Sequence, residues 1–157
     1  MKPSKDKANR MHVMHLWSWD EVVKAIPYMT SIVGSLREHW LDVLTAERAI
    51  DKAADQHGPA TRKQMIDQQT HQDEKQRAQV KFDDALEELT KMDVFLLDPI
   101  RGLALIPHRH DDELAWYIFD HFTPRGCIGW RYHSDPMDQC RPLETETTAD
   151  IENSPAT

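Results

Sequence analysis

The sequence predicts an α+β fold: a long antiparallel helical hairpin packed on a small antiparallel β-sheet of about four strands. Three observations predict it. Up to Met92 the apolar residues recur every three or four positions, beyond Met92 they alternate, and turns bearing Gly or Pro separate the alternating runs. A chain of 157 residues suits one domain with a modest core. Its net charge of −8 argues against a nucleic-acid partner, which needs a basic surface. No apolar run approaches the ~20 residues of a membrane span.

The helical half opens at "WSWDEV". Ser18 and Glu21 fit a capping box, each satisfying an orphan backbone donor at the other, and Trp17 and Val22 fit the hydrophobic staple around it. Proline costs about 3 kcal/mol inside a helix and is welcome in its first turn. Pro27 therefore implies a short helix over 19–26 and a long one over 27–56. Along the long helix Met29, Val33, Leu36, Trp40, Val43 and Ile50 form one stripe that skips only Glu47. "QHGPAT" breaks the pattern, Gly58 suiting a cap and Pro59 a new start, so a further helix is expected over 60–92. Its far half is amphipathic through Phe82, Leu86 and Leu89; its near half is almost wholly polar.

Strands are expected over 94–97, 102–107, 113–122 and 127–133, joined by "DPIRG", "HRHDDE" and "TPRG". Residues 1–15 read as a flexible basic N-terminal tail, 16–143 as a single α+β domain, and 144–157 as a disordered acidic tail. The first residues lack the apolar stretch of a signal peptide, so the expected location is cytoplasmic, with Cys127 and Cys140 as reduced thiols.

Polar chemistry concentrates in the strands. In "GWRYHSDP", alternation puts Ile128, Trp130 and Tyr132 on one face and Cys127, Gly129, Arg131 and His133 on the other. In the third strand Leu114, Trp116, Ile118 and Phe122 share a face, leaving Ala115, Tyr117, Phe119 and His121 as a second, semi-apolar one. If the helices cover the first, then Tyr117, Phe119, His121, Arg131 and His133 form a candidate site for a small anionic ligand, or a subunit interface. His-x-His at His108 and His110 points two rings to one side; with His121 and His133 these are the candidate ligands for a divalent transition metal. The plainer reading of "HRHDDE" is a solvated loop, and no cofactor is otherwise expected, because the five glycines form no phosphate-binding loop. No catalytic residue is assigned. Ser134 lies between His133 and Asp135 but points to the other side of an extended chain, which argues against a hydrolytic triad.

Four segments, "WSWDEVVKAIPYMTSIVGSLREHW", "LLDPIRGLALIPH", "ELAWYIFDHF" and "GWRYHSDPMDQCRPL", resemble the bacterial family known as domain of unknown function 2203. Gly102, Leu103 and Pro107 match the family's "GLVDFP"-like strand. Tyr132-His133 stands where the family has Trp-His, and Arg141-Pro142-Leu143 matches its closing arginine. Leu105 departs from the family's frequent Asp, and Asp120-His121 from its frequent Gly-Glu. The resemblance implies no activity. The leading expectation is a non-catalytic protein acting through self-association or partner binding; the alternative is a metal- or small-anion-binding protein, an enzyme included. A homodimer is expected because the sparse apolar residues of the second hairpin helix offer few partners for Val43 and Ile50.

Overall fold

The computed structural model describes residues 13–55 and 58–143. Most of the expected N-terminal tail (1–12), the acidic segment (144–157), and residues 56–57 of the hairpin connection lie outside them. The element order is α1 (Trp19–Ala54), α2 (Arg62–Lys91), β1 (Phe95–Asp98), β2 (Leu103–His110), β3 (Glu113–Asp120) and β4 (Cys127–Tyr132). The two helices form a hairpin against a four-stranded antiparallel sheet with strand order β1-β2-β3-β4. No helix among the described residues is long and apolar enough to cross a membrane.

α1 begins where the capping box places it. The Ser18 hydroxyl accepts from the Glu21 N–H at 3.2 Å, and the Ser18 N–H donates to Glu21 Oε1 at 3.0 Å. The expected break at Pro27 does not form: α1 is one helix of 36 residues with Pro27 inside it. Pro27 lies on the exposed side of the helix, one turn beyond exposed Val23, whose carbonyl loses its N–H partner where water can replace it. Buried Val22 and Met29 hold the helix on both sides of the proline. A second capping box, Thr61 with Gln64, opens α2.

The sheet departs from expectation in three places. β2 runs through His110 rather than stopping at Pro107. Asp111 and Asp112 both take positive φ (49° and 62°), which makes "DD" a tight two-residue hairpin turn and leaves no room for a loop. β3 ends at Asp120, so Phe122 lies in the following turn, 60% exposed. The helices cover the face opposite to the expected one. Ala104, Ile106, Ala115, Phe119, Cys127 and Trp130 join α1 and α2 in the main core, while Leu105, Trp116 and Ile118 form a second cluster with Leu97, Leu114, Ile128 and Met14. A bulge in β4 explains the reversal there: Ile118 pairs with Gly129 but Phe119 with Cys127, so Cys127 turns to the helices and Ile128 away.

Both sheet edges are extended by chain outside the strands. Past the end of β1, the Trp17 N–H donates to Pro107 O and the His15 N–H to Asp93 Oδ2, so the described residues before α1 pack as a strap. Beyond β4, Trp130 and Arg141 exchange two backbone hydrogen bonds. Gly129 permits this, since a Cβ there would strike Arg141 O and Cys140 Sγ. Gly34 plays the same part in α1, where a Cβ would strike the ring of His121.

The sheet-side core takes α1 residues only from Trp19 to Trp40 and α2 residues only from Phe82 onward. The remainder, 41–54 and 62–81, is a two-helix arm, about 20 Å long in α1 and about 30 Å in α2. Val43, at 0% exposure, and Ala46 and Ala78 are buried within it. The residues whose expected exposure motivated a dimer are therefore largely covered within the chain, Val43 fully and Ile50 in part.

Candidate functional site

The chemistry gathers at the end of the sheet where β2, β3 and β4 meet the segment 133–143. On the helix-facing side the rings form a ladder. His108 stacks on Tyr117 (centroids 3.7 Å, 12° apart in plane), and His110 stacks on Trp130 (3.9 Å, 30°). Trp130 meets Tyr132 edge-on at 4.9 Å, and Trp19 at the start of α1 leans on Tyr117 at 5.2 Å. Strand alternation puts His108 and His110 on one side, as the His-x-His spacing requires. His108 is 3% exposed, and its Nδ1 has no hydrogen-bond partner in the protein. Burial, reinforced by the nearby His110, pushes its pKa down to about 4, so the ring is neutral at pH 7.

The ladder is closed by an ion pair. Arg141 Nε and Nη2 reach Asp135 Oδ2 and Oδ1 at 2.8 and 3.0 Å, a bidentate geometry, and the guanidinium lies over the rings of Tyr132 (4.9 Å) and Trp130 (5.5 Å). Asp135 also accepts from the Tyr132 N–H at 2.9 Å. The Arg141 hydrogen bonds hold the Asp135 carboxyl at about 2, well below the usual range. The Tyr132 hydroxyl donates to Asp111 Oδ2 at 3.4 Å; burial first, then the nearby carboxylates of Asp111 and Glu113, raise its pKa.

On the opposite side of the sheet, Arg131 pairs in register with Trp116, whose indole N–H donates to His133 Nδ1 at 3.1 Å. Arg131 is buried and His133 exposed. The expected ligand set is thus split. Tyr117 and Phe119 face the helices, His121 lies at the other end of β3 with its ring held by Thr30 O at 3.0 Å, and Arg131 and His133 stand on the outer face. The expected metal set is split in the same way: only His108 and His110 come together, and among the described residues no three His, Cys, Asp or Glu side chains are grouped to hold a metal. Alternation had paired these residues by face correctly within β3. It could not say which face the helices take, and it could not foresee the bulge.

The Asp135–Arg141 clasp was missed because Asp135 reads equally well as a turn former before Pro136. Its only sequence signal is two opposite charges bracketing a turn. Arg37 docks α1 on the far end of the sheet, donating to Ile100 O at 2.9 Å and lying over Phe122.

No protein-family model, no curated protein and no solved structure matches the chain. The resemblance to domain of unknown function 2203 rests on the four quoted segments alone.

Proposed function

We propose that the protein is a non-catalytic cytoplasmic binding protein that self-associates through its helical arm. The observation that supports this reading is the division of the molecule: the sheet-side core draws no side chain from residues 41–54 and 62–81. An arm that the core does not need is costly in chain entropy unless something else uses it. Its surface also suits a second copy. Met65 and Ile66 stand side by side on α2, each 55% exposed. Close to them the helices leave a cavity of about 260 Å³, lined by the small residues Ala49, Ala53, Gly58 and Ala60 and by the polar side chains of Lys52, Gln64, Asp67, Gln68 and His71. Apolar knobs beside a recess of mixed lining, at the same end of one arm, suit an isologous contact in which the knobs of each copy meet the recess of the other. A reducing compartment accords with the cysteines. Cys127 faces the helices, and Cys140 lies against the other side of β4.

Light scattering from about 1 to 100 μM tests the reading, since standard interfaces give dissociation constants in and below this range. The wild type should dimerise, and Ile66→Glu, a change at an exposed position, should shift the midpoint at least tenfold. A monomer throughout would overturn self-association.

A further inference from the structure

The outer face of β4 carries a feature independent of the arm. Arg131 is 4% exposed, yet no carboxylate among the described residues pairs with it. Its Nη1 donates to Tyr132 O over 3.4 Å, its Nη2 to the thioether of Met137 at 3.3 Å, and its Nε has no hydrogen-bond partner in the protein. A guanidinium cannot shed its charge, and burying it is costly unless an opposite charge and good hydrogen bonds offset the lost water. A thioether is a poor acceptor for that purpose. Arg131 does favour the ionised form of Asp135, but both oxygens of that carboxylate are engaged by Arg141. Arg131 therefore acts on Asp135 only through space, with no hydrogen bond to it.

A second donor stands on the same face. His133 is exposed, and because its Nδ1 accepts the indole proton of Trp116, the neutral ring carries its own proton on Nε2. Part of the cover over Arg131 is itself exposed: Met137, whose sulfur accepts from Nη2, is 65% exposed. We propose that Arg131 and His133 bind a small oxyanion group, phosphate or carboxylate, which takes the place of the Met137 sulfur on the guanidinium. Such a group supplies both the missing charge and two adjacent oxygens for the fork of donors.

The test is an NMR titration of the whole chain, following the Arg131 Nε–H and His133 ring signals. Inorganic phosphate and acetate are the probes, with sodium chloride at matched ionic strength as the control. Saturable shifts with phosphate or acetate and none with chloride are expected, and the tighter of the two probes names the group. His133→Ala should weaken binding about fivefold, the effect of one lost hydrogen bond. Met137→Ala, which uncovers the guanidinium, should tighten it, and Arg131→Met should abolish it. Should Arg131→Met fail to fold, the two exposed-site variants decide. Equal, non-saturating drift in all three salts, or binding that neither His133→Ala nor Met137→Ala alters, overturns the proposal.

Discussion

Ser18 carries the start of α1, because its hydroxyl and the Glu21 carboxylate satisfy donors that the helix itself leaves open. Ser18→Ala should cost about 0.5–2 kcal/mol in denaturant melts. This box was legible because all its determinants lie within four residues. The environment of His108 was not, because a histidine in "PHRHDDE" reads as loop until the two aspartates are known to take positive φ. Its depressed pKa has a consequence with a definite sign. The unfolded ring binds a proton near its ordinary value of 6.5, whereas the folded one does so only near 4. The neutral ring is therefore tolerated in full above pH 6.5, and stability falls as pH drops from 6.5 towards 4. His108→Phe should flatten that part of a stability–pH profile; an unchanged slope would mean that other groups produce it. Asp135 acts lower, its contribution present above about 3.8 and lost as pH falls to about 2, and Arg141→Met should remove that acid limb. Thiol labelling of the native protein should modify exposed Cys140 quickly and buried Cys127 only on unfolding.

Among the elements, the helices were the most legible and their continuity the least. Periodicity fixed the stripe from Met29 to Val43, but the local rule for proline ends a helix at Pro27, and packing on both sides of that residue overrides the rule. Pro27→Ala restores a backbone donor within α1, and it also frees the unfolded chain. The two effects oppose each other, leaving an expected gain of about 1–2 kcal/mol in thermal or denaturant melts. A loss would show that the proline shapes the helix for its contact with the sheet. The strands were legible as alternating runs, with their ends shifted by the turn chemistry. Their faces were ambiguous for a physical reason: β3 is apolar on both sides, with Trp116 and Ile118 on one and Tyr117 and Phe119 on the other. Which side meets the helices was decided by residues remote in sequence. Ala104 and Ala115, both at 0% exposure, let α1 and α2 approach, while Met14, Leu97 and Ile128 cover the outer cluster.

At the scale of the whole molecule, the chain divides into a sheet-backed core and an arm, and this division was only half visible. The polar near half of α2 is plain in the sequence, but the burial of Val43 against it is not. There Ala78 brings the helices together, and Lys75 pairs with Glu47 at 3.3 Å. We propose that the arm serves association and not folding. The most direct test replaces residues 45–76 with a short glycine-rich turn and follows the shortened chain by sedimentation equilibrium alongside its thermal melt. The account predicts a cooperative melt with the near-ultraviolet tryptophan signature intact, and a monomer at concentrations where the full chain is a dimer. A shortened chain that still dimerises, or one that no longer folds, would contradict it.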